Sequence, residues 1–220
     1  MDTPLLIFLH GPGQSPPAWQ DVVGAINPDQ RMVAPWLKGL KPNDTAGFNM
    51  DAAVEAIADV METNGAQKAD LVGYSLGGLV AIRMASKYPT KVDHLVLIST
   101  PVVPSAALLS RQRAVVKITP SFMFKGVGKT KILEALDALS VADIGADLSS
   151  VTAPALVISA SEDQTGRVNA QSLAKQINAM EYQLPGADPH LLATHPKLLA
   201  QYIADFCGGI LEPQQTPPQS

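Results

Sequence analysis

Ser75 sits within Gly73-Tyr74-Ser75-Leu76-Gly77, between the apolar run Asp70 to Val72 and a helix-like stretch from Gly78 to Lys87. A serine on a sharp turn from strand to helix has its hydroxyl lifted clear of its neighbours, and glycines two residues to either side let strand and helix pack closely behind it. This pattern is that of a nucleophile elbow. Alone it does little, because a serine hydroxyl is a weak nucleophile near neutral pH until a base takes its proton. The rest of the chain must supply a base, an acid and N–H donors for an oxyanion.

The elements that would position such groups are legible as apolar runs. Leu5-Leu6-Ile7-Phe8-Leu9 is uniformly apolar, as in a strand buried on both faces of a parallel sheet. Similar runs from Arg31 to Ala34, Asp70 to Val72, His94 to Ile98, Ala155 to Ser159 and Glu181 to Leu184 bring the predicted strands to six. Apolar residues at helical spacing lie between them, at Ala52 to Met61, Leu79 to Ala85, Val168 to Met180 and Pro196 to Phe206. Strand alternating with helix predicts an α/β fold: a mostly parallel six-stranded sheet with helices on both faces. Pro101 to Val151 breaks the rhythm, with about fifty residues where an ordinary crossover needs ~10–15. It reads as a short helical cap over the sheet edge, inserted at about 101–151 into a single domain of residues 1–212. The polar, proline-rich 213–220 reads as a disordered tail.

In an open parallel sheet, active residues gather beyond the carboxyl ends of the strands. Three titratable or nucleophilic positions fit: Ser75, Asp163 after Leu156 to Ala160, and His190 after Tyr182 to Pro185. Here the chain resembles the α/β-hydrolase family over nearly its whole length. His10-Gly11-Pro12-Gly13 is similar to the family's oxyanion loop, Ala160-Ser161-Glu162-Asp163 to its acid turn, and Pro185-Gly186-Ala187-Asp188-Pro189-His190 to its histidine loop. The resemblance implies acyl transfer through a covalent intermediate. Ser75 would attack, His190 would act as base and then acid, and Asp163 would fix the imidazole tautomer. Glu162 and Asp188 compete with Asp163 as the acid, and His195 with His190 as the base; family spacing favours Asp163, and the loop position favours His190. His94, inside a strand-like run, reads as structural.

One departure concerns the oxyanion. Leu76, directly after the nucleophile, supplies one backbone N–H, but the family's second donor position is here Pro12, which has none. Gly13, free to adopt unusual backbone angles, is the expected substitute, with Gly11 a weaker one. His10, Tyr74, Trp36, Phe122 and Phe124 are candidates for lining the substrate pocket; Trp36 and Trp19 could equally be cover for the sheet.

From Ser105 to Leu133 the chain carries Arg111, Arg113, Lys117, Lys125, Lys129 and Lys131 and no acid. Such a stretch would steer an anionic substrate or acidic carrier, or would form the solvated faces of two amphipathic helices with Leu108, Leu109, Val115, Val116 and Ile118 turned inward. A formal net charge of −4 argues against nucleic acid as a partner. No apolar run reaches the ~18–20 residues of a membrane span. One cysteine, Cys207, and no apparent secretory signal point to a cytoplasmic protein, monomeric or homodimeric. No cofactor or metal is implied, since Cys and His are few and scattered along the sequence. The expected function is carboxylesterase-like: hydrolysis of an ester or thioester of a small to medium acyl group. The alternatives are carbon–carbon bond, lactone or amide hydrolysis on the same triad, or a ligand-binding or receptor protein of low turnover.

Overall fold

The uniformly apolar Leu5–Leu9 becomes β1 in the computed structural model, which describes residues 4–102, 106–121, 124 and 127–211. Every residue of β1 is buried, and alternate residues enter opposite layers of core. Leu5, Ile7 and Leu9 join one layer and Leu6 and Phe8 the other, as the two-residue strand period requires. The other strands are β2 (Met32–Val33), β3 (Ala69–Tyr74), β4 (Val92–Ile98), β5 (Ala155–Ala160) and β6 (Met180–Leu184). They form a six-stranded sheet in the order β2-β1-β3-β4-β5-β6, parallel at every pairing.

All six expected strands form, with shifted ends. β2 keeps only Met32 and Val33 of the run Arg31 to Ala34, because Pro35 follows and cannot donate to a ladder. The helices are α1 (Gln20–Val23), α2 (Met50–Thr63), α3 (Leu76–Lys87), α4 (Ala106–Ile118), α5 (Lys129–Val141), α6 (Gly145–Leu148), α7 (Gln164–Gln176), α8 (Leu191–Thr194) and α9 (Pro196–Cys207). Among them α7 begins four residues before the expected Val168. The Asp163 carboxylate caps it by accepting the Gly166 N–H at 2.9 Å. It also ends before the expected Met180: Asn178 turns with φ 51°, and Met180 opens β6. No helix among the described residues is long and apolar enough to cross a membrane.

Helices α2 and α3 cover one face of the sheet, and α9 with the fully buried Trp19 covers the other. Trp19 is therefore core, its ring 5.1 Å from that of Phe8. Within the long insertion, α4 and α5 pack on one another and α6 on α3. The expectation of five inward apolar side chains on α4 is corrected. Leu109 and Val116, seven residues apart, form one buried seam, whereas Leu108, Val115 and Ile118 are 46%, 52% and 82% exposed. Three of the six cations of the stretch are also tied down. Arg113 pairs with Asp137 at 2.8 Å, Lys131 with Glu134 at 2.8 Å, and Lys129 donates to the carbonyls of Lys117 and Thr119. Phe122, Lys125 and the 213–220 tail lie outside the described residues.

Candidate active site

Ser75 follows the last residue of β3 and precedes α3, with φ 53° and ψ −113°. A non-glycine residue held there carries strain of ~1–3 kcal/mol, tolerated where the surroundings over-determine it. They do so here. The Ser75 N–H donates to the Ile98 carbonyl at 3.0 Å, and a Cβ on Gly77 would lie 2.2 Å from the Leu9 carbonyl oxygen, so β1 is packed against the first turn of α3. Leu76 opens α3, and its N–H has no intrahelical acceptor.

Ser75, Asp163 and His190 line one cavity of about 410 Å³. Asp163 stands at the end of β5 and caps α7; His190 stands before α8, in the loop after β6. That loop has three anchors. Asp188 accepts the His190 N–H at 2.8 Å and the Thr194 hydroxyl at 3.3 Å, and the Tyr74 hydroxyl donates to the Pro189 carbonyl at 2.7 Å. Desolvation pushes the Tyr74 phenol up to about 12, against the effect of a hydrogen bond with Ser99, so it stays a donor. Glu162 is exposed, Asp188 is occupied with the loop, and His195 lies at the start of α9 with its Nδ1 2.8 Å from the Thr194 hydroxyl. None of these three lines the cavity.

The oxyanion loop is built around one tight turn. The Gln14 N–H donates to the Gly11 carbonyl at 3.3 Å, closing a tight turn with Pro12 and Gly13 at its centre. Gly13 has φ 73°, the combination a type II turn requires. Pro12 is thus the turn former. Gly13 faces Ile132 at the crest of the turn, and the cavity wall is made by Pro12 and Gln14 on either side of it. The Gly11 N–H is already donated to Gln14 Oε1 at 2.9 Å.

Gln14, which the sequence reading did not single out, also lines the cavity. Since a backbone N–H can only donate, the bond from Gly11 fixes the side-chain amide with Oε1 towards Gly11, leaving the two N–H donors of Nε2 for other partners. A methyl at Gly11 would lie 3.2 Å from both Gln14 Oε1 and Ser75 Cβ, so this carboxamide and the serine are close neighbours. Glutamine three residues beyond His10-Gly11 was the only signal available.

Of the expected pocket residues, Tyr74 lines the cavity and His10, Trp36 and Phe124 do not. His10 is buried, donating Nδ1–H to the Gly11 carbonyl at 3.1 Å and accepting the Leu37 N–H on Nε2 at 3.2 Å. Burial holds its imidazole below the usual range. Its ring meets Trp36 edge-on at 5.3 Å, and Trp36 and Phe124 pack against the apolar core. The cavity walls come instead from Leu108, Leu109 and Gln112 of α4, Leu139 of α5, and Ser99, Thr165 and Asn169. Among the described residues no lysine or arginine lines the cavity; Arg111 lies in an adjoining groove of about 330 Å³ that shares Pro12, Leu108 and Gln112 with it.

Comparison with known proteins matches residues 4–127 to the family described as alpha/beta hydrolase fold. A pimeloyl-[acyl-carrier protein] methyl ester esterase of Aromatoleum aromaticum is 35% identical over 100 residues, 46% of this chain and 38% of that protein. The putative carbamate hydrolase RutD of Variovorax paradoxus is 26% identical over 199 residues, 74% of this chain and 75% of that protein. Uncharacterized mycobacterial relatives match at 30% identity over only 29% of their own length. Among solved structures, the enol-lactonase of Burkholderia xenovorans superposes with a TM-score of 0.83 over 94% of this chain and 92% of that chain, at 16% identity. At that identity the likeness concerns the fold.

Proposed function

The chain belongs to the alpha/beta hydrolase fold family, and from that premise we propose that it is a serine hydrolase cleaving a carboxylic ester or thioester of a small to medium, uncharged acyl group. The observation that carries this reading is the meeting of Ser75, Asp163 and His190 in one cavity from three separate strand ends. His190 takes the Ser75 proton as Oγ attacks the carbonyl carbon. The same proton then passes to the departing alcohol or thiol, and water repeats the sequence to release the acid. Asp163 has one oxygen taken by the Gly166 N–H, which leaves its other oxygen to accept the His190 N–H in the proposed mechanism. The tetrahedral oxyanion is bound by the Leu76 N–H and by Gln14 Nε2, which stands in for the N–H that Pro12 lacks.

Cavity chemistry supports the choice of substrate. Leucine and proline walls suit an acyl chain, Gln112 and Asn169 suit hydrogen-bonding groups, and among the described residues no lysine or arginine lines the cavity to pair with a carboxylate. The names of the relatives, a methyl ester esterase, an enol-lactonase and a putative carbamate hydrolase, support a hydrolytic reaction. The reading is tested by incubation with a serine-directed phosphonate, peptide mass mapping and a panel of acyl esters. The expected result is a single adduct on Ser75, with turnover lost by on the order of 10⁶-fold in Ser75→Ala. Absence of an adduct would make the protein a ligand-binding member of the fold.

A further inference from the structure

At the other end of β3, about 16 Å from Ser75 at ~3.3 Å per residue, three side chains of different chemistry converge. Asp70 is the second residue of β3, His94 the third of β4 and Cys207 the last of α9. One ligand atom from each lies within 4.8 Å of the other two, and His94 Nδ1 is 2.8 Å from Asp70 Oδ1. The pairing of the two strands is irregular at this point. Ala69 is opposite Val92 but Leu71 is opposite Leu95, so β4 carries one extra residue. This bulge allows Asp93 to pair with Lys68 at 2.9 Å while His94 meets Asp70. Bulges between parallel strands are rare, and bulges as a class occur where a side chain must be re-aimed.

The surroundings make the cluster unusual. Asp70 is 1% exposed, on a sheet face otherwise built from residues such as Leu6, Phe8, Val72 and Val96. A carboxylate in such a layer needs hydrogen-bonding or charged partners. We propose that Asp70, His94 and Cys207 form a binding site for a divalent metal ion of borderline-soft character, zinc being the best fit. Thiolate, carboxylate and neutral imidazole are ligand types that zinc takes together, and their summed charge of −2 balances the ion where a net charge would be costly. Three protein ligands leave a fourth position for water, and the partial exposure of His94 and Cys207 gives an entry path. On binding, the thiol proton is released to solvent, the imidazole proton that faces Asp70 on Nδ1 is exchanged through solvent for one on Nε2, and the freed Nδ1 lone pair turns to the metal. The ion would fasten α9 to β3 and β4, so its effect is on stability and not on the Ser75 chemistry.

The test is titration of the metal-free protein with Co²⁺, followed by absorption, thermal melting and alkylation of Cys207. Because the chain contains one cysteine, any thiolate-to-cobalt charge-transfer band reports Cys207. The expected result is such a band saturating at one equivalent, displacement by Zn²⁺, a raised melting temperature and protection of Cys207 from iodoacetamide. His94→Gln should weaken binding at least tenfold, and Cys207→Ser should abolish the band. Absence of a thiolate band in the wild-type protein, or alkylation at the same rate with and without Zn²⁺, overturns the proposal. Both measurements are made on the unmodified chain, so they stand even where a variant fails to fold.

Discussion

At the position of Pro12, the absence of one N–H shifts the question of catalysis to a side chain two residues later. Gln14→Leu keeps the size of the side chain and removes its donors, and is expected to lower kcat by about 10²–10³ with little change in KM. Pro12→Ala is the matched control: with Gln14 already in place, a restored backbone N–H should change turnover less than tenfold, whereas a hundredfold gain would show that no substitute donor existed. Ester hydrolysis by the two variants and wild type decides between these outcomes. Ser75, Asp163 and His190 were legible as candidates because each follows a run read as a strand, and the structure brings the three to one cavity. Gln14 was not, because its relevance depends on the direction in which a tight turn aims a side chain, and no residue pattern encodes that direction. His10, expected to line the pocket because it opens the His10-Gly11 loop, instead has both ring nitrogens engaged in joining the end of β1 to the Trp36-Leu37 segment.

Among the elements, the loop after β6 depends on β3 for its position. The Tyr74 hydroxyl reaches Pro189, directly before His190, from the residue directly before Ser75. The neighbours of the proposed base and nucleophile are thus coupled by one hydrogen bond. Tyr74→Phe is expected to cost about 0.5–1.5 kcal/mol in stability and to lower kcat by on the order of tenfold or more through misplacement of His190, with KM nearly unchanged. Turnover at the wild-type level, alongside the expected loss of stability, would reduce Tyr74 to a structural role. The elements themselves were largely readable: a parallel sheet buried on both faces leaves uninterrupted apolar runs. Less readable was α4, whose Leu108 and Leu109 are identical in type and opposite in exposure. Helical spacing fixes which residues share a face, but only the packing of α5 decides which face is covered.

For the whole molecule, the neutral state of His10 ties stability to pH. Its folded-state proton affinity is depressed, first by burial, and protonating Nε2 would also set an N–H against the Leu37 N–H. As pH falls below the unfolded value of ~6.5, the unfolded chain takes up this proton before the folded chain does. Stability is therefore full above that pH and declines as pH falls towards and through the folded value. Urea midpoints measured from about pH 8 to pH 5 should show this decline, and His10→Gln should lose the corresponding part of the slope; parallel curves for the two proteins would show that His10 does not contribute. The division of labour across the chain has one more consequence. The groups proposed to do the chemistry come from strand ends locked into the sheet, whereas Leu108, Leu109, Gln112 and Leu139 come from a single excursion of the chain between β4 and β5. Under the proposed mechanism, selectivity can therefore drift by substitution within that excursion while the strand-end groups are inherited intact, and replacing α4 and α5 by another pair of helices would be the shortest path to a new substrate.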